Sequence, residues 1–561
     1  MKNKTLWYSL LIALLAAIVA VAESPLTLRN DDFQIYFLLL NGGVQSDAMG
    51  YGIFTNYAMG WILAQLSMLF PNLNVYLLNL FVLSFAACWS ANYVALGTTR
   101  RAQEEEDKNV YGTVVKLVSV VWLFVLNVVS LRVLQYTQVA MWAAVSGVLF
   151  LSTVQNGRFV FLKSLASGAL LIGAFVLRES VVLPAIFVAI AVSLGIAWPK
   201  RYAIALLVIC SLLAGLHLCN NVAYNLHPEW NEAKVCMSVR QKILDSPDNS
   251  GLDKSAKIAE SGMNPESYSL FKSFVYVPSM DDATKMADAL RIHKEGRIGV
   301  FGNASLADMG FLQASVKQRM DLHGGTTIFM WLTPWVPFIL MVFLWGLGAN
   351  RKTIKPAGMM LAVVVAYIVA LFLYQRMVGR VLTPVLYGAT VWLMTLQPSK
   401  NTITKNVCVN IGAAVMSLLC ILFYVRHWQF GTRDTGETAC EYCAAHPENF
   451  YLTTSQQGLG LYPVGFTGYS WQWLQKSNIL PISDGWSFYT PAYKAALSAR
   501  GFSSLRDAFF HPSSFIVTRD CEQAGAMRFL ERLAMCEWNK KIEFSIVDKR
   551  GEFYFVKVIQ K

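Results

Sequence analysis

The sequence predicts a polytopic α-helical membrane protein with about eleven transmembrane helices and an extracytoplasmic C-terminal α/β domain. Three observations predict it. The 561 residues are 55% hydrophobic and only 15% charged, with a mean hydropathy of +0.42. Several apolar runs approach or exceed the roughly 18 residues that read as a spanning helix. Beyond residue 425 the pattern changes to short strand-like runs punctuated by turn residues. The net charge of +12 comes without a basic stripe interleaved with aromatics. It therefore speaks for membrane orientation and against nucleic acid as a partner.

The first apolar run, 6–22, follows Lys2 and Lys4. Ala20, Val21 and Ala22 look like a cleavage site, but the run exceeds the usual signal-peptide core of about 7–15 residues. A retained anchor is the expectation. Further spans are read at 75–97, 110–131, 134–154, 159–177, 180–198, 202–219, 327–348, 359–375, 381–397 and 407–425.

One more apolar segment, 51–70, decides the topology. If it spans, Arg100 and Arg101 fall outside and every later loop inverts. If it lies along the outer surface, thirteen basic residues gather inside: Lys2, Lys4, Arg100, Arg101, Lys108, Arg158, Lys200, Arg201, Arg351, Lys352, Lys355, Lys400 and Lys405. Five stay in the short outer loops: Arg29, Arg132, Arg178, Arg376 and Arg380. That asymmetry is the one expected of a membrane protein. Segment 51–70 is therefore read as a juxtamembrane or re-entrant helix, and its Thr55, Asn56, Gln65 and Ser67 suit partial burial.

The chain then divides into a transmembrane domain, 1–425, and an extracytoplasmic α/β domain, 426–561. The first includes an outer loop at 23–74 and a large outer loop at 220–326. In the second, strand-like runs fall at 449–453, 513–517, 542–548 and 552–559. The last two flank Lys549, Arg550 and Gly551 and read as a hairpin. Thr490 and Pro491 start a helix that Gly501 stops.

Ten cysteines are present. Cys88, Cys210, Cys219, Cys408 and Cys420 lie in or near spans and read as packing residues; Cys236 lies in the large loop. Cys440 and Cys443 form a CxxC without a second CxxC or a His pair, so zinc is weakly supported. Together with Cys521 and Cys536, in an oxidising compartment, they are expected to form one or two disulfides, with free thiols as the alternative.

The candidate chemistry sits at the outer ends of the spans. Asp31 and Asp32 are adjacent carboxylates just past the first span, and Arg132, Arg178, Glu179, Arg376 and Arg380 mark the outer ends of others. Carboxylates at a bundle mouth are costly without a role. Guanidinium groups match phosphate oxygens in their fork geometry. A carboxylate can serve a hydroxyl nucleophile as base, and arginines can stabilise a departing phosphate. The set therefore suits transfer from a lipid phosphate. The structural alternatives are ordinary: Asn30 or Asp31 capping a helix that begins near Phe33, and Arg178 pairing with Glu179 or Asp32 to seal the bundle.

Arg29, Asn30, Asp31, Asp32 and Phe33, then Gly42 and Gly43, then Asn56 to Gly60 and Leu69 to Asn72, resemble the first outer loop of GT-C glycosyltransferases. The nearest likeness is to bacterial glucosyltransferase-like members that decorate surface polysaccharides. The resemblance implies a multi-pass plasma-membrane enzyme with its active site and C-terminal domain outside. It implies a polyprenyl-phosphate-sugar donor drawn from the membrane lipid and a glycan or lipid-linked acceptor. It places the catalytic base on Asp32, with Asp31 beside it, and offers Arg178, Arg376, Arg380, Arg132 and Glu179 for substrate contacts. Some members use a divalent cation and others do not, so a metal stays open. Asp281, Asp282 and Glu266 are candidates for a second acid by residue type alone. A flippase or transporter of lipid-linked glycans is the rival reading, and a non-catalytic relative a third. Transporters often show internal repeats, and none is visible in this sequence.

Overall fold

The computed structural model describes residues 2–22, 30–43, 50–101, 110–132, 134–153, 160–195, 200–244, 253–273, 275–295, 335–348, 351–373, 379–396, 436–454, 465–483, 486–518, 525–551 and 553–561. They form two compact units. One comprises Met1–Pro25, Asn79–Leu216 and Val300–Thr432; the other comprises Leu26–Leu78, His217–Gly299 and Arg433–Lys561.

The first unit is a bundle of apolar helices. Among the described residues, five helices are long and apolar enough to cross a membrane: Lys4–Ala22, Val75–Gly97, Val160–Leu177, Ala203–Asn225 and Ile354–Leu371. Val118–Arg132, Tyr136–Leu151 and Glu179–Val192 are shorter apolar stretches. The expected span at 407–425 and the start of the one at 327–348 lie outside the described residues. Lipid offers no hydrophobic drive between helices, so packing and hydrogen bonds join them. The Asn92 amide donates to the Ser9 carbonyl at 3.2 Å and the Trp89 indole to Ser9 Oγ at 3.2 Å, tying the first helix to Val75–Arg101. Ser84 Oγ donates to the Ser130 carbonyl at 3.0 Å, and Trp142 Nε1 to Cys88 Sγ at 3.4 Å.

The second unit is built from three distant stretches of chain. Its sheet has five strands in the order β2-β1-β3-β5-β4: β1 is Phe450–Thr453, β2 Ile479–Pro481, β3 Ser514–Thr518, β4 Ile542–Arg550 and β5 Phe553–Gln560. β1 runs parallel to both β2 and β3, and β5 is antiparallel to β3 and β4. The hairpin expected around Lys549 to Gly551 is β4–β5. The three-residue β2 carries no sequence pattern of its own. The helix Pro491–Ser498 begins at Thr490, whose Oγ1 accepts from Tyr493 N at 3.3 Å.

The CxxC lies on the helix Gly436–Ala445. Cys443 packs in a core with Ala439, Tyr451, Ile479, Val517, Phe553 and Phe555. Cys536 is a free thiol, which rules out two bridges among the four cysteines. The side chain of Cys440, and all of Cys521, fall outside the described residues. Burial pushes the Cys536 thiol up, against the lowering effect of a hydrogen bond from Ser267.

The described residues within 26–78 and 217–299 belong to the same unit as this sheet. Tyr276 N donates to the Ile482 carbonyl at 3.2 Å, and Val275 bridges Ser483, so the 275–276 segment pairs with the chain just past β2. Arg532 pairs with Glu266. Glu537 accepts from Ser267 Oγ at 2.5 Å, Ser279 N at 2.8 Å and Ser279 Oγ at 2.7 Å. Arg240, fully buried, has its guanidinium 5.3–5.7 Å from the rings of Phe271, Trp486, Phe488 and Tyr489.

Candidate functional site

Asp32 lies on the ten-residue helix Asn30–Leu39. The helix starts three positions before Phe33, so both aspartates fall inside its first turn. The alternative in which Asp31 caps from outside the helix is corrected on that ground. Carboxylates are favoured there by the unpaired N–H groups and the helix dipole. Asp31 is one position earlier, and its side chain lies outside the described set. From Asp32 onward the helix is buried on every side: Asp32, Ile35, Tyr36 and Leu38 are at 0% exposure. A short polar-headed helix this enclosed must be held by contacts, because ten residues are too few for stable isolated helix.

Those contacts come from far along the chain. Tyr76 Oη donates to Asp32 Oδ1 at 3.1 Å. The Tyr36 ring stacks on Tyr76 with centroids 5.6 Å apart and planes 18° apart. The Tyr36 hydroxyl is 3.0 Å from Ser67 Oγ, which donates to the Leu63 carbonyl at 2.7 Å. Burial pushes the Tyr36 phenol up to about 12 while the bond to Ser67 pulls the other way, so it is neutral at physiological pH. Tyr469 packs against Phe33 at 4.2 Å and edge-on to Tyr36 at 6.0 Å. Its φ of +51° is in the left-handed region, a conformation a bulky residue holds only when its surroundings fix it. Gln34 Oε1 accepts from Ser487 N at 3.3 Å.

The rest of the loop is equally fixed. The helix Tyr57–Leu69 is capped by Asn56, whose Oδ1 accepts from Ala58 N at 3.0 Å. Its 13 residues reach about 20 Å at 1.5 Å per residue, well short of the roughly 30 Å hydrocarbon core. Trp61, Leu69 and Phe70 are half-exposed or more. Asn74 then fastens the head of the next helix: Oδ1 accepts from Leu77 N at 2.9 Å and Nδ2 donates to the Gly468 carbonyl at 3.0 Å. Tyr76 is therefore the second residue of a capped helix that continues as the apolar span Val75–Gly97.

Gly42 (φ +67°) and Gly43 (φ +87°) abut two helices of the α/β layer. A Cβ on Gly42 would stand 2.6 Å from the Ala492 carbonyl oxygen, and one on Gly43 2.9 Å from that of Leu474. The glycine pair is thus a close-packed turn at the end of the Asp32 helix.

The remaining candidates are in the other unit. Arg178 is an extended residue (φ −156°, ψ 106°) between Val160–Leu177 and the short turn Glu179–Val181. Its Nη1 donates to the Tyr136 hydroxyl and Thr137 Oγ1, and its Nε to Ser180 Oγ at 2.9 Å. Its guanidinium carbon lies 4.8 Å from the Tyr136 ring centroid. Glu179 is half-buried next to it, and Arg132 ends the helix Val110–Arg132, where a cation suits the helix C-terminus. Arg380 is in the first turn of Gly379–Thr395. Arg376 lies outside the described residues.

The three acids picked by type have structural roles. Glu266 pairs with Arg532, Asp281 with Lys494 at 2.9 Å, and Asp282 caps the helix Ala283–Lys294 through Thr284 N at 2.8 Å and Lys285 N at 3.1 Å. Among the described residues no group of three or more His, Cys, Asp or Glu stands together to hold a metal ion.

The fold and its candidate site define an integral membrane protein whose second unit carries a five-stranded sheet, and in which a buried carboxylate sits beside the head of an apolar helix long enough to span a membrane. No family model matches the chain, and no curated protein matches it. Among solved structures it is similar to the crystal structure of ArnT from Cupriavidus metallidurans in the apo state. The identity is 11%, with 98% of this chain and 96% of that chain covered, at a TM-score of 0.38.

Proposed function

We propose that the chain is a membrane glycosyltransferase of the GT-C type, transferring a sugar from a polyprenyl-phosphate donor to a hydroxyl of an extracytoplasmic glycan or lipid-linked acceptor. The observation that carries the reading is the Asp32 carboxylate. It is fully buried, oriented by Tyr76, and placed beside the first turn of a membrane span. A polyprenyl phosphate has its tail in lipid and its phosphate at the surface, so a base at the head of a span is at the depth where the sugar is.

Asp32 takes the proton of the acceptor hydroxyl as its oxygen attacks the anomeric carbon. The bond to the phosphate oxygen breaks with its electron pair leaving on the phosphate, already a good leaving group. Attack opposite the leaving phosphate inverts the anomeric centre. Arg178, Arg376 and Arg380 are assigned to the donor phosphate, Arg132 and Glu179 to further substrate contacts, and Asp31 supports Asp32. Both the site and the 426–561 region face outside in this reading. The test is turnover of polyprenyl-phosphate glucose by the full chain in proteoliposomes, measured as released polyprenyl phosphate. No release with this or other polyprenyl-phosphate hexoses, alongside vectorial movement of a lipid-linked glycan, would favour the transporter instead.

A further inference from the structure

We infer that Tyr76 is a positioning residue for the Asp32 carboxylate, setting the orientation in which it meets the acceptor hydroxyl; this rests on the base reading of Asp32. A carboxylate on a two-torsion side chain rotates unless an oxygen is held. The Tyr76 phenol holds Oδ1 at 3.1 Å. Both side chains are at 0% exposure, so water does not compete for the bond. Tyr76 is itself immobilised. Its ring is stacked on Tyr36, and its backbone lies in a helix start that Asn74 caps and ties to Gly468. The orientation of the base is thereby referred to the head of the span, and through Asn74 to the 465–468 turn. A base held to within fractions of an ångström is what separates efficient from inefficient proton transfer.

Tyr493 supplies the control. Its hydroxyl donates to the Pro481 carbonyl at 2.7 Å and its side chain is at 0% exposure, so Tyr493→Phe removes a buried phenol hydrogen bond without touching the Asp32–Tyr76 pair. In proteoliposomes with polyprenyl-phosphate glucose, Tyr76→Phe should lower kcat by about ten- to hundred-fold at little-changed KM. Tyr493→Phe should keep the wild-type kcat. A second readout needs no turnover. Dicyclohexylcarbodiimide labels protonated carboxyls in apolar surroundings, and removing a donor to the carboxylate favours its protonated form. Labelling of Asp32, followed by peptide mass spectrometry, should be faster in Tyr76→Phe than in wild type or Tyr493→Phe. Equal kcat in Tyr76→Phe and wild type, or equal losses in the two Phe variants, would overturn the inference. If the wild type releases no polyprenyl phosphate from this or other polyprenyl-phosphate hexoses, the base reading fails, and equal labelling rates would then overturn the positioning of Asp32 separately.

Discussion

Asp32→Asn separates the charge of the carboxylate from its shape. The amide has the same heavy-atom outline, and its Oδ1 can still accept from Tyr76 Oη, now 3.1 Å from the carboxylate oxygen. The bond changes from charge-assisted, worth about 1.5–3 kcal/mol, to neutral, worth about 0.5–1.5 kcal/mol. About 1 kcal/mol of folding stability is lost, and part of that is offset because a buried neutral amide costs less desolvation than a buried charge. The thermal midpoint should therefore fall by only a few degrees. Turnover should respond on another scale. A positioned base contributes roughly 10²–10⁴ in rate, equivalent to about 2.7–5.4 kcal/mol of barrier at 1.36 kcal/mol per decade. The assay is release of polyprenyl phosphate from polyprenyl-phosphate glucose by full-length protein in proteoliposomes, with donor binding measured in parallel. Asp32→Asn should bind donor and release about a hundredth of the wild-type product or less. Undiminished turnover in both Asp32→Asn and Asp31→Asn would refute the base assignment. Loss in Asp31→Asn alone would move the role one residue back.

Three further outcomes are expected. Gly42→Ala should destabilise the second unit by about 2–5 kcal/mol, combining roughly 1–2 for a left-handed alanine with 1–3 for overpacking against the Ala492 carbonyl, and a thermal-unfolding midpoint equal to wild type would contradict the close packing. Arg178→Lys should weaken donor binding, measured by titration, nearly as much as Arg178→Ala, which is expected to cost about ten-fold or more, because the planar fork that serves Tyr136 and Thr137, and phosphate in the proposed role, is lost in both. Asp282 has its pKa lowered, chiefly by the Lys285 backbone N–H, which outweighs an opposing desolvation, with Thr284 assisting. Its folded pKa lies below its unfolded one, so its contribution is present above the unfolded value and lost as pH falls through the folded value. The midpoint gap between wild type and Asp282→Ala should accordingly be full at neutral pH and close in strong acid, and a gap independent of pH would show that the cap is not the cause.

The membrane helices were legible because their signal is local: a run of apolar residues announces a span wherever it packs. Thr490, Pro491 and Gly501 announced a helix for the same reason, as did the runs that became β4 and β5. Asp32 was legible as a carboxylate whose placement asks for a reason. Its partner was not, because Tyr76 is 44 residues away and reads in sequence only as an aromatic at the start of a span. Nor did Tyr469 or Arg240 carry a signal; a strained φ and a guanidinium among four rings exist only once distant segments meet. The acids chosen by type failed to converge for a related reason. Glu266, Asp281 and Asp282 are surface chemistry of the usual kind, and nothing in their neighbours' identities distinguishes an ion pair or a helix cap from a catalytic group.

The join between Asn74 and Gly468 spans 394 residues of chain, and the second unit is assembled from pieces that leave the ribosome at widely separated times. The Asp32 helix is made early, just after the first apolar helix, yet the groups that enclose it from the 465–496 region are made after the described membrane helices. Closing so long a loop is slow, since non-local contacts form only after the chain entropy between them has been given up. The early loop must therefore wait, solvated and unclosed, while the bundle inserts. Biogenesis of the site is thus a late event in the life of the nascent chain. A ribosome-stalled intermediate lacking the last hundred or so residues would have its spans in place and its carboxylate still open to water.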